Sequence, residues 1–152
     1  MSINDNTPVL VGCGQVTQKV SDPREAKNPI ELMKEASLCA FEDTTIDHLE
    51  DKIDTVTTVR FIFDSGGGKR PPFSIYSNPP QSLANSLGIT DAKTYNGPTG
   101  GNTPQYLINI LAEKIVKGET EVALLSGSEC FSSMRNCLLY TSDAADDWSC
   151  VD

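Results

Sequence analysis

The sequence predicts an α/β fold, a mostly parallel sheet with helices on both faces. Three observations predict it. Short apolar or β-branched runs alternate with stretches of helical period in the order β-α-β-α-β-α-β. Residues Thr94 to Glu129 read as one strand-turn-helix-strand unit, and two strands joined by a helix form a right-handed parallel crossover. Val122-Ala123-Leu124-Leu125 is a continuous apolar run, the pattern of a strand buried on both faces of a parallel sheet. The 152 residues suit one domain with a sizeable core, and no internal repeat or interdomain linker is visible.

The elements follow in order. Residues 1–7 are polar and predict a frayed start. Val9-Leu10-Val11-Gly12 predicts a short buried strand. Gly12-Cys13-Gly14 follows, but Thr17 stands where a dinucleotide fingerprint needs its third glycine, so binding of that kind is not signalled. Val16 to Lys27 is a loop. Asn28 as N-cap and Pro29 at the first helical position open a helix. Ile30, Met33, Ala36, Leu38, Cys39, Ala40 and Phe41 mark its apolar side. Glu42 to Asp51 is an acidic connection that holds the only histidine, His48, read as a solvent-facing loop residue. Ile53 to Ile62, rich in β-branched residues, predicts a strand. Asp64 to Pro72 is a glycine-rich loop. It is not a P-loop, because Phe63 stands where the first glycine is needed and Arg70 replaces the hydroxyl residue. Pro79-Pro80 lead into a short helix, Gln81 to Leu87, which Gly88 ends.

The central unit carries the candidate site. Thr94 and Tyr95 are strand formers, and Asn96-Gly97-Pro98 stops the strand. Asn102 and Thr103 are both N-cap types, Pro104 suits the first helical turn, and Gln105 is placed to complete a capping box with Asn102. Leu107, Ile108, Leu111, Ala112 and Ile115 form an apolar stripe, and Gly118 fits just past the helix end. Ligands of parallel sheets bind at the carboxyl ends of strands, where helix N-terminal N–H groups favour an anion or a developing oxyanion. This points to the Gly97–Thr103 turn, and within it to Gly100, Gly101, Asn102 and Thr103 as substrate-binding residues. From spacing alone the same stretch also reads as a plain tight turn, or as the phosphate-binding turn of a small nucleotide-binding α/β module.

Composition narrows the partners. A net charge of −9 argues against nucleic acid and anionic membranes but leaves acyl-CoA or nucleotide binding open. No apolar run approaches membrane-spanning length, and no leader-like segment is seen, so the cytoplasm or an organelle matrix is expected, with cytoplasmic as the reading taken. The five cysteines include no CxxC pair, which signals neither a zinc site nor a disulfide framework. Cys13 and Cys39 fall in apolar segments and are expected to be buried small hydrophobes. No metal and no tightly bound cofactor are expected.

Several segments together resemble the thiolase superfamily. They are Pro8-Val9-Leu10-Val11-Gly12, Pro29-Ile30-Glu31-Leu32, Ile53-Asp54, Ser82-Leu83-Ala84-Asn85-Ser86-Leu87-Gly88, and the stretch from Gly101 through Ala112, Gly118 and Val122 to Ser126-Gly127-Ser128-Glu129. The resemblance covers roughly residues 8–135. It implies the N-terminal half of a thiolase fold with a five-stranded type of sheet, and acyl transfer on acyl-CoA esters, as in acetyl-CoA acetyltransferases. It also implies a nucleophilic cysteine at the start of the central helix, and counting back from Gly118 and Glu129 puts that position at Gly101. A glycine cannot be acylated, and Cys130 lies at the far end of the next strand. The family's catalytic histidine and second cysteine belong to a C-terminal half that these residues do not include. The turn Gly100 to Gln105 is similar to thiolase-like proteins of type 1, which keep the fold without the usual nucleophile. The expectation is a truncated, inactive chain with CoA or acyl-CoA as possible substrate and its own C-terminal half as partner.

Residues 137–152 do not continue this pattern. Cys137-Leu138-Leu139-Tyr140-Thr141-Ser142-Asp143-Ala144-Ala145-Asp146 resembles a translated sequencing adapter. The domain is therefore expected to span residues 1–136, with a true continuation beyond about Arg135 that differs from the tail. With Asp143, Asp146, Asp147 and Asp152 set aside the chain is still acidic.

Overall fold

The computed structural model describes residues 6–22, 25–61 and 76–130. The glycine-rich loop Asp64 to Pro72 and the adapter-like tail lie outside the described residues. The elements are α1 (Pro29–Glu42), β1 (Thr55–Thr58), α2 (Pro79–Leu87), β2 (Lys93–Asn96), α3 (Thr103–Val116) and β3 (Ala123–Ser126), with a short 3-10 turn at Leu49–Lys52. The expected α/β fold is present.

Among the described residues the sheet has three strands in the order β2-β1-β3, all parallel. Thr57 of β1 is in register with Tyr95 of β2 and Leu125 of β3. Residues in register share a face, so the strands divide cleanly. Val56 and Leu124 face α1 and α2 and join Ile30, Met33, Ile53, Leu83, Ala84 and Ile89 in the core. Thr55 and Thr57 face the other way, toward α3. The sheet thus has helices on both sides.

The helix ends follow their capping chemistry. The Asn28 side chain accepts from the Glu31 N–H at 3.0 Å, and Glu31 Oε2 accepts from the Asn28 N–H at 2.8 Å. This reciprocal pair satisfies two N–H groups that α1 itself cannot. Gly88 (φ 78°) ends α2 in the left-handed region, and Gly118 (φ 69°) follows α3 in the same conformation.

Four local expectations are corrected. Val9-Leu10-Val11 is not a strand; it is unpaired, and Leu10 is 87% exposed. The apolar run has β character, but no described strand offers it a ladder. Among the described residues β3 lies at the edge of the sheet, and only Leu124 of its four residues is buried. All four residues of β1, with three threonines, are buried instead, because β1 holds the middle of the sheet. Cys13 and Cys39 are exposed: Cys13 lies in the segment that crosses the outside of α1, and α1 turns only Pro29, Ile30, Met33 and Ser37 fully inward. Within the stripe of α3, Leu107 and Leu111 are buried, but Ile108 is 51% exposed.

Residues 12–14 cross α1 very closely. A Cβ at Gly12 would lie 2.3 Å from the Ala40 carbonyl oxygen, and one at Gly14 would lie 2.1 Å from that of Ala36. Both glycines are needed because backbone meets backbone there. Asp43 holds the crossing, its Oδ2 accepting the Cys13 N–H at 2.9 Å.

Candidate functional site

The turn after β2 is built around Gly97. Its N–H donates to the Thr58 carbonyl at 2.7 Å, extending the ladder one residue past the strand. A Cβ at Gly97 would sit 2.7 Å from Leu107 Cδ1 and 3.2 Å from the Thr58 oxygen. Glycine there lets the fully buried Leu107 seat α3 against the strand end. Thr58 Oγ1 donates to Asn96 Oδ1 at 3.1 Å and steadies the last strand residue.

The expected site residues are brought together at the N-terminus of α3, at the carboxyl end of β2. Thr103 is the first helical residue and is 2% exposed; its N–H donates to the Gly100 carbonyl at 3.1 Å. Pro104 has no N–H to offer. Two first-turn positions are therefore closed to a ligand, which thins the cradle a phosphate would need. The capping box foreseen for Asn102 and Gln105 is not formed. Asn102 is helical (φ −90°, ψ −6°) with no side-chain cap, and Gln105 Nε2 donates forward to Asn109 Oδ1 at 3.1 Å. A helical φ/ψ at Asn102 carries its side chain away from the N–H groups it would cap.

Gly100 and Gly101 differ. A Cβ at Gly100 would lie 3.1 Å from Asn102 Oδ1 and 3.3 Å from Thr103 Oγ1, tight contacts with side chains. A Cβ at Gly101 meets nothing within 4 Å, and the residue is exposed. Gly101 is thus not a glycine for steric reasons. The position is open and has no reactive group of its own.

The candidate nucleophiles elsewhere are held quiet. Cys130 is 5% exposed, with its thiol 3.9 Å from the Lys27 carbonyl. Burial, with the neighbouring Glu129 charge, pushes its thiol up to about 11. Such a thiol is protonated at neutral pH and a poor nucleophile. The Cys13 thiol lies 3.5 Å from Asp43 Oδ2, and this hydrogen bond, with the carboxylate charge, raises it too. His48 is solvent-facing as expected, its side chain 80% exposed, with Nδ1 3.9 Å from Glu50. Among the described residues no group of three or more His, Cys, Asp or Glu could hold a metal, and no helix is long and apolar enough to cross a membrane.

Sequence reasoning missed one polar group. The Thr57 hydroxyl is buried with no hydrogen-bond partner, on the face toward α3. The only signal was a threonine-rich strand, which also fits an ordinary half-exposed edge.

No family model matches the chain, and no curated protein matches it. Among solved structures the chain is similar to a monomeric SCP2-thiolase-like protein type 1 from Mycobacterium smegmatis. The likeness has 32% sequence identity and a TM-score of 0.67, over 85% of this chain and 25% of that one. The chain therefore spans about a quarter of the length of that relative. The parallel sheet, the turn before α3 and this likeness agree with one another, and the chain belongs to the thiolase-like superfamily.

Proposed function

We propose that the chain is the N-terminal part of a thiolase-like protein that binds acyl-CoA esters, with the Gly97–Thr103 turn against the thioester end. Gly101 occupies the position where catalytic relatives carry the nucleophilic cysteine. The observation that carries this reading is the open Cβ direction at Gly101 on the N-terminus of α3, in a unit that matches a thiolase-like protein. The helix N-terminus supplies a positive partial charge toward a thioester carbonyl oxygen. No acyl-enzyme forms there: Gly101 has no nucleophile, Thr103 is buried, and Cys130 stays protonated. By itself the chain binds the ester rather than cleaving it, and any turnover belongs to a longer protein.

Calorimetric titration with acetyl-CoA and, separately, with ADP tests this. Saturable heat with acetyl-CoA and none with ADP supports it. The reverse favours a phosphate-binding turn and overturns it. Gly101→Cys tests the alignment, because the new thiol has room and sits at a helix N-terminus that lowers its pKa. Labelling of that variant by acetyl-CoA, absent in the parent chain, is the expected result.

A further inference from the structure

The C-terminal ends of α1 and α2 lie at the amino end of the parallel strands, the opposite end of the sheet from the Gly97–Thr103 turn. With the connection that follows α1 they frame an open groove of about 460 Å³. Its floor is apolar. Phe41 and Leu87 pack against the core beneath it, and Leu49 is 6% exposed. Leu38 and Ile46 stand on the rim, 42% and 37% exposed. α1 and α2 already close this face of the sheet, so the groove lies on the outside of a finished layer. Its shape is held from within: Thr44 Oγ1 donates to the Phe41 carbonyl at 3.0 Å and accepts the Ile46 N–H at 3.1 Å. Little ordering is left for a partner to impose on that rim.

The charge around the groove has one sign. Glu42, Asp47 and Glu50 line it, and no lysine or arginine does. The connection from Glu42 to Asp51 holds five acidic residues and no lysine or arginine. Among the described residues Glu42 and Asp47 have no ion pair, and Glu50 is met by His48 alone, whose Nδ1 is 3.9 Å away. The helix ends add to this field. Both C-termini carry negative partial charge, and neither helix has a basic residue in its last turn. Glu42, in the last turn of α1, opposes its own helix dipole with nothing in the described chain to offset it. A cation seated there would supply the missing offset.

We propose that this groove is the docking surface for a basic amphipathic helix of a partner protein. Apolar side chains of that helix seat between Leu38 and Ile46 on the floor of Phe41, Leu49 and Leu87, and its lysines or arginines meet Glu42, Asp47 and Glu50. The acidic rim selects against acidic partners and steers basic ones toward the groove. The inference stands apart from the acyl-CoA reading, since it uses the other end of the sheet and different residues.

Nuclear magnetic resonance titration of the isotope-labelled full chain tests it. The probes are an amphipathic leucine–lysine helical peptide and the leucine–glutamate peptide of the same pattern. The lysine peptide is expected to shift the amides of residues 38–50 and of Leu87 saturably, and the glutamate peptide to shift none. Leu38→Gln with Ile46→Gln, both at exposed side chains, should weaken the lysine peptide about tenfold. Asp47→Asn with Glu50→Gln should weaken it about fivefold and flatten its salt dependence. Val116→Gln, at an exposed apolar side chain of α3, and Glu113→Gln, at an exposed acid of α3, should leave the affinity unchanged. Circular dichroism of each variant establishes that it is folded. Absence of saturable binding overturns the proposal, and so do shifts centred on α3 or spread over the whole acidic surface. Groove variants that bind as the parent does, or a loss for the α3 variants equal to theirs, also overturn it.

Discussion

Gly97→Ala is a direct test of how the candidate turn is built. The new Cβ would stand 2.7 Å from Leu107 Cδ1, 3.2 Å from its Cδ2 and 3.2 Å from the Thr58 oxygen. Carbon atoms prefer about 3.5–4.0 Å, so the pair must separate by roughly 1 Å. Leu107 is 0% exposed and packed against the strand end, and the Thr58 carbonyl is held by its 2.7 Å bond to Gly97. Overpacking of this kind costs about 1–3 kcal/mol. The alanine restricts the unfolded chain and returns about 0.4–1 kcal/mol. The net expectation is a loss of about 1–2 kcal/mol, or a Tm lowered by about 2–8 °C for a chain of this size. Gly101→Ala is the matched control, with the same entropy gain and no atom within 4 Å; it should melt at or slightly above the parent. Far-UV circular dichroism is the suitable readout, because the only tryptophan, Trp148, lies outside the described residues. An unchanged Tm for Gly97→Ala, or an equal loss for both variants, would refute the claim that Leu107 packing dictates glycine at 97 but not at 101.

Four further outcomes follow from the structure. Asn28→Ala removes half of the α1 capping box and should cost about 1 kcal/mol in urea unfolding. Gly14→Ala cannot coexist with the present crossing of α1, so residues 9–20 should lift away and become cleavable by protease, with amide exchange in α2 and β1 unchanged. Cys130 is neutral in the fold up to about 11, against an ordinary 9.0. Between those values the unfolded chain releases the proton first, so stability should fall as pH rises from about 9 to about 11. Iodoacetamide at pH 8 should label the exposed Cys39 well before Cys130, and mass spectrometry of the peptides reads the order.

The helices were legible because their ends are written locally. Asn28 before Pro29, and Gly88 and Gly118 after the last apolar turns, need only neighbouring atoms to act. Strand burial was not legible in the same way. Val9-Leu10-Val11 and Val122-Ala123-Leu124-Leu125 look more like buried strands than Thr55-Val56-Thr57-Thr58 does. A strand's burial depends on which neighbours it acquires, and that is a property of the sheet order rather than of the run. The turn between β2 and α3 was legible as a turn, because Asn96-Gly97-Pro98 stops the strand locally. Its hydrogen bonding was not foreseen, because Asn102 and Gln105 each have several acceptors and donors within reach and the backbone angles decide among them.

The threonines of β1 also bear on how the chain avoids folding wrongly. A four-residue strand of valines would pair comfortably with its neighbours after sliding by two positions, since the same faces would still be inward. Here Thr55 Oγ1 meets Thr120 Oγ1 at 3.0 Å, and Thr58 Oγ1 meets Asn96 at 3.1 Å, on opposite flanks of the strand. A slide in either direction would strand both pairs in a dry interior. The hydroxyls thus act as alignment marks: once the helices exclude water from the sheet, only the correct register leaves both of them paired.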